Sequence, residues 1–194
     1  MVAGFLIQTI STKADVQPTI CYWEPYIFVA NQEPSSCEDN SMHEKQALNY
    51  ILSRVQTEYS FRKECEEQTI NNSNTDEEPN KVKSEQGIFR VCGHEFLRDE
   101  SRVLWRSGPG CAFVLLLFPG ENILLAELVI AHLSTYVSNS LNLGEDLVKQ
   151  VIACPDKVAS VTHVFLPAGQ LLVMNHRVVK QLEKDLEKIN AGKV

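Results

Sequence analysis

From Cys111 to Phe118 the chain reads Cys-Ala-Phe-Val-Leu-Leu-Leu-Phe, with no charged or amide side chain. A strand with one wet face shows polar residues at alternate positions, so an unbroken apolar run requires cover on both faces. Pro119-Gly120-Glu121 interrupts it well short of the about 20 residues that a bilayer span needs. The next segment is equally apolar. Asn122 can N-cap a helix in which Leu124, Leu125, Leu128, Val129, Ala131, Leu133 and Val137 leave almost no polar face. A buried strand leading into a helix buried nearly all round implies a layered fold of sheet and helices.

The flanking sequence supplies the other layers. Phe5, Leu6, Ile7 and Ile10 form a second nearly continuous apolar run, a strand placed centrally and covered on both faces. After the polar turn Ser11 to Pro18, Ile20 to Trp23 and Tyr26 to Val29 read as a hairpin partner. That partner bulges at Glu24-Pro25, because proline has no N–H for the ladder. Ser41-Met42-His43-Glu44 fits a capping box, and Leu48, Ile51, Leu52, Val55 and Tyr59 continue a helix with one apolar stripe. From about Glu64 to Gln86 the apolar content collapses, which marks a mobile acidic insertion inside a single domain spanning 1–194. Strands resume at Ile88 to Cys92 and at Arg102 to Arg106, where arginines alternate with Val103 and Trp105 as in a half-exposed strand. Ser107-Gly108-Pro109-Gly110 turns the chain into the apolar run. Helices follow over about Glu145 to Ala153 and Asp156 to Phe165, the latter ending at Leu166 because Pro167 disfavours helix in the residue before it. Gln170 to Met174 is extended, and Asn175 can cap a last helix with Val178, Val179, Leu182, Leu186 and Ile189 on one stripe.

Composition narrows the function. The chain has 194 residues, 44% of them hydrophobic, enough for a core without disulfide or metal staples. Its 18 Lys and Arg against 25 Asp and Glu give a net charge of -7, the wrong sign for tracking a nucleic-acid backbone or an anionic leaflet. Direct nucleic-acid binding is therefore not expected, and membrane attachment is expected only indirectly, through partners. Cys21, Cys37, Cys65, Cys92, Cys111 and Cys154 show neither C-x-x-C nor zinc spacing and read as reduced thiols. Met1 to Gln8 lacks the basic region and cleavage site of a signal peptide, so the mature chain is expected to begin at Met1 in the cytoplasm.

Catalytic constellations are few, and each has a plainer explanation. His94-Glu95 opens like a zinc-protease motif, but Arg98 stands where the second histidine belongs. The glycines of Ser107 to Gly110 lack the lysine and hydroxyl of a phosphate loop and suit a tight turn. Cys111 beside His132 or His163 could form a nucleophile pair, yet an apolar strand keeps a thiol protonated. Both histidines read as core or interface residues, and Lys180, Lys184 and Lys188 beside Glu183 and Glu187 read as a solvated face with Lys–Glu pairs. No metal, cofactor or enzymatic activity is expected.

The order β-β-α-β-β-β-α with extra helices resembles that of longin-like (SNARE-like) domains, which include adaptor small chains. Phe5-Leu6-Ile7-Gln8, Glu121 to Glu127 and Phe165 to Leu172 go further, together with Asn175 and the closing Val179 to Lys184 run. These segments resemble the sigma small subunits of the fifth adaptor protein complex. The resemblance implies an α+β fold, a five-stranded antiparallel sheet flanked by helices with extra C-terminal helices. It further implies a non-catalytic subunit of a heterotetrameric vesicle-coat complex, with large chains of zeta and beta type and a medium chain of mu type. The family's accessory partners are spatacsin and spastizin, and its work is clathrin-independent sorting, peripheral on late endosomal and lysosomal membranes.

Within that picture, the excess apolar helical surface makes Leu128, His132, Phe165, Leu166 and Leu171 candidates for contact with a large chain. The better-known sigma chains take dileucine cargo signals in a pocket whose counterpart here is Pro109, Cys111, Asn139 and Ser140. Asn139 agrees with the pattern; Ser140 replaces a valine, and Pro109 is added in the turn. The alternative from another class is a free-standing longin-like regulator or tether of a small GTPase, since a shared scaffold does not fix function.

Overall fold

In a computed structural model, residues 1–13, 16–26, 37–72, 84–92, 100–141 and 146–190 are described. The apolar run forms β5 (Cys111–Leu117), every residue of it fully buried, in the middle of a five-stranded sheet. The strand order is β2-β1-β5-β4-β3, with β1 (Val2–Thr9), β2 (Ile20–Pro25), β3 (Gln86–Val91) and β4 (Ser101–Ser107), and every pairing is antiparallel. The first strand is thus interior and buried as its sequence requires, although β5 rather than β1 holds the centre. The β1–β2 hairpin forms, with a register shift after Ile7. Pro25 closes β2, where its missing N–H interrupts no ladder; Ile27 to Val29 lie outside the described residues.

One helix covers one face of the sheet. This helix, α1 (Cys37–Asn72), packs Ala47, Ile51, Leu52 and Val55 on Leu6, Val103, Trp105, Val114 and Leu116. It corrects the sequence expectation at both ends. It starts upstream of Ser41, which therefore lies inside the helix rather than at its cap. It also runs through Glu64 to Asn72, the first part of the expected insertion; the rest, 73–83, lies outside the described residues. Tertiary contacts fix the turn just before this extension: Arg62 lies over the Trp105 ring at 5.5 Å, and the Lys63 ammonium is 3.7 Å from Glu85 next to β3.

The opposite face carries α2 (Ile123–Ser140), α3 (Leu147–Ala153), α4 (Pro155–Phe165) and α5 (His176–Asn190), which bury Phe5, Ile7, Phe113, Leu115 and Leu117. The caps match the sequence. Asn122 accepts from the Leu125 amide at 3.1 Å, Leu166 ends α4 ahead of Pro167, and Asn175 accepts from the amides of Arg177 and Val178 at 3.0 Å. Glu24 at the end of β2 accepts from the hydroxyls of Tyr22 at 2.8 Å and Thr162 at 2.6 Å, fastening the edge strand to α4. β4 is not half exposed as its alternation suggested. Val103 and Trp105 lie under α1, and Leu104 is buried with the other helical layer, so only Arg102, Arg106 and Ser107 are partly exposed.

Candidate functional site

Two surfaces flank α2. Its inner face, Ala126, Val129, Ile130, Leu133 and Val137, is sealed against the sheet and α4. Its outer ridge is not buried, which corrects the expectation of cover all round: Leu124 is 72% and Leu128 52% exposed. His132, one turn on, is half-buried and stacks on Tyr136 (ring centroids 6.2 Å apart) and Phe165 (6.5 Å), while Tyr136 and Phe165 stack at 4.5 Å. The Tyr136 hydroxyl donates to Glu183 of α5, and burial together with that carboxylate pushes the phenol up to about 12. Glu183 is thus engaged by a tyrosine rather than a lysine, and the ion pair at that end of α5 joins Lys188 to Asp185 at 2.8 Å. Among the interface candidates, Leu128 and His132 reach the surface and Leu171 is half-buried, but Phe165 and Leu166 are completely buried. Those two fill the core beneath the ridge and cannot face a partner in this conformation.

The second surface is an open depression of about 260 Å³ between the β4–β5 turn and the C-terminal half of α2. It brings together Pro109 and Asn139 of the four cargo-pocket candidates. Cys111 points into the core instead, and Ser140 does not line it. Pro109 and Phe113 are its apolar side chains, and Ser84, Arg106, Ser107, Gly108, Ser134, Thr135, Ser138 and Asn139 complete a lining whose surface is more apolar than polar. The three α2 hydroxyls donate to helix carbonyls at 2.7 to 2.9 Å and so present oxygen lone pairs to the depression.

The nucleophile reading of Cys111 meets the chemistry its strand imposes. Burial, with smaller contributions from Cys21 and Asp146, pushes the thiol up to about 12. His163 is exposed on α4, which excludes the core alternative expected of it, and His94-Glu95 lies outside the described residues. Iodoacetamide at pH 8 is expected to label the exposed Cys65 and Cys92 and spare Cys111 until denaturant is added, as peptide mass spectrometry can show. Prompt labelling of Cys111 in the native chain would refute its placement. Because the folded state keeps this thiol protonated where the unfolded state ionises, its contribution to stability is intact below about pH 9. It falls as pH rises from there toward 12.

A family model described as AP-5 complex subunit sigma-1 matches residues 1–187, both sheet faces and all five strands included. The chain belongs to that family. It is also similar to the human protein "AP-5 complex subunit sigma-1", with 23% identity over 194 residues, 95% of this chain and 96% of the relative. An α+β fold with a five-stranded antiparallel sheet between helical layers fits an AP-5 sigma chain. The family is one of adaptor-complex subunits, which are generally non-catalytic and belong to multi-subunit assemblies. By length and composition, α2 is the helix among the described residues that could cross a membrane. Its inner face is part of the sigma-chain core, and its second half carries Ser134, Thr135, Ser138 and Asn139, as in a core helix of a soluble domain. The sequence missed Leu124 as a surface residue; its i,i+4 spacing to Leu128, offset from Ala126, Val129, Ile130 and Leu133, is the signal that marks the outer ridge.

Proposed function

We propose that this chain is the non-catalytic sigma subunit of a heterotetrameric adaptor complex, in which it docks on a large chain through the Leu124–Leu128–His132 ridge of α2, with half-buried Leu171 as a further contact. The other members are large chains of zeta and beta type and a medium chain of mu type, with spatacsin and spastizin as accessory partners. The complex sorts proteins at late endosomes and lysosomes without clathrin, cytoplasmic and peripheral on those membranes through its partners. The supporting observation is the exposure of Leu124 and Leu128 on a helix whose opposite face is buried in the core. Two adjacent leucines in water are costly, at about 25 cal/mol per Å² of apolar area, and their burial under a partner recovers that free energy.

Co-expression with the zeta-type chain tests this. The wild-type subunit is expected to co-purify stoichiometrically, whereas Leu124→Asp/Leu128→Asp should lose at least about tenfold in affinity, the equivalent of 1.4 kcal/mol. Circular dichroism should be unchanged, since both positions face solvent in the lone chain. Undiminished co-purification of the double variant would remove the ridge from the interface. A wild-type chain that ignores coat subunits and instead captures a small GTPase in one nucleotide state would replace this reading with a regulator.

A further inference from the structure

At the β3 end of the sheet, three arginines stand on a face that no helix among the described residues covers. The β3–β4 register sets Arg90 opposite Arg102, Ile88 opposite Leu104 and Gln86 opposite Arg106. Leu104 is buried with the α2 layer, so strand alternation puts all six side chains on that side of the sheet. Yet Gln86, Ile88 and Arg90 are exposed, with Ile88 at 41%, and Arg102 and Arg106 are half-buried, because β3 extends beyond the reach of α2. On the reverse side, Phe89 packs with Val91, Val103 and Trp105 against α1, so the strand itself is firmly held.

Charge makes this face unusual. Like charges directly opposite on neighbouring strands repel, and Arg90 faces Arg102. In a chain with more acidic than basic residues, no ion pair among the described residues engages Arg90, Arg102 or Arg106. Arg106 is instead steadied by a neutral partner, donating from Nη1 to Gln86 Oε1 at 3.1 Å.

We propose that this face binds an extended acidic segment of a partner protein, with two carboxylates flanking an apolar residue. Arg102 and Arg106 are four residues apart on β4, about 13 Å at roughly 3.3 Å per residue, and Ile88 lies between them on the adjacent strand. An extended peptide running alongside presents its residues i, i+2 and i+4 on one side at the same spacing. One carboxylate then meets the Arg90–Arg102 pair, the apolar side chain covers Ile88, and the second carboxylate meets Arg106. Guanidinium forks bind carboxylates with paired hydrogen bonds, and the incoming charge relieves the arginine repulsion. An anionic membrane fits less well, because Arg102 and Arg106 are recessed and the chain's net charge of -7 repels the leaflet. The surface is separate from the ridge of α2, so its role does not depend on the large-chain contact.

The test is fluorescence anisotropy of a fluorescein-labelled peptide, Gly-Glu-Ser-Leu-Ser-Glu-Gly, titrated with the full chain. Binding is expected to saturate, to weaken as salt rises, and to fall about tenfold or more in Arg102→Gln/Arg106→Gln at an unchanged thermal midpoint. In the charge-reversed variant Arg90→Glu/Arg106→Glu, preference should switch to the peptide with lysine in place of both glutamates, a rescue that a merely structural role would not produce. Equal affinity for the version with glutamine in place of glutamate would overturn the proposal without recourse to any variant. So would the absence of saturable binding, undiminished binding by the glutamine variant, or an arginine-dependent loss confined to sedimentation with phosphatidylserine vesicles.

Discussion

Trp105→Ala is expected to lower the unfolding free energy by about 3–5 kcal/mol, the range for emptying a buried aromatic site. Trp105 has no exposed surface and anchors the α1 layer from β4. Its indole meets Tyr59 edge-on at 6.4 Å, donates from Nε1 to Glu58 at 3.0 Å and lies beneath Arg62. Gly87 on β3 makes room for it, since a Cβ there would stand 2.6 Å from Nε1. With total stability of about 5–15 kcal/mol for a domain, the loss is large enough to shift a urea midpoint far outside error. Trp105→Phe separates the contributions: most of the ring burial stays, while Glu58 loses its donor. Glu58 retains Arg54 at 3.5 Å and some solvent, so this variant should cost only about 1–2 kcal/mol. An alanine variant no less stable than the phenylalanine one would mean that the ring does not hold α1 to the sheet.

The same tryptophan shows where the sequence was legible and where it was not. Alternation assigned Trp105 and Val103 to one face correctly, but alternation reads one strand at a time and does not reveal that Leu104, pointing the other way, meets a second helical layer. The unbroken apolar runs were unambiguous because only a doubly covered strand tolerates them, and the caps at Asn122 and Asn175 were legible because they depend on local hydrogen bonds alone. The length of α1 was not. Glu64 to Asn72 has no apolar stripe to announce a helix, and the turn just before it is fixed by contacts from Arg62 and Lys63 to residues more than one strand away in sequence.

The candidate site was legible in the same uneven way. Leu124, Leu128, Val129 and Leu133 are equally apolar, and composition cannot distinguish a leucine that meets the core from one that awaits a partner; only the sheet's position divides the helix into its two faces. Phe165 and Leu166 were drawn toward the interface by hydrophobicity alone, and the stack with Tyr136 and His132 shows that the domain uses Phe165 itself. Pro109 and Asn139 were placed together by the family resemblance, whereas the hydroxyl lining around them came from the far side of the turn and from α2, a meeting that no local pattern encodes.

Gly169→Val is expected to destabilise the domain by about 3–5 kcal/mol through the backbone rather than through a lost contact. The short 3-10 turn Pro167–Gly169 carries the chain from α4 back beneath the sheet edge. Gly169 has φ +74, a region in which a β-branched residue is strained by roughly 1–3 kcal/mol. A Cβ there would also stand 2.8 Å from Tyr26 Cβ, Tyr26 Cγ and the Val2 carbonyl oxygen. Because two of those atoms are ring root and main chain, relief would have to move Tyr26 bodily or shift β1, and overpacking of this kind costs about 1–3 kcal/mol more. The neighbouring Ala168 provides a control of opposite sign. It is exposed and also has a positive φ, 49°, which glycine adopts without strain, so Ala168→Gly should be neutral or stabilising by up to about 1 kcal/mol. Urea unfolding followed by circular dichroism distinguishes the two. Equal, small shifts from both substitutions would mean that the turn can open freely, and that Tyr26 and Val2 do not fix the path by which α4 and α5 are joined.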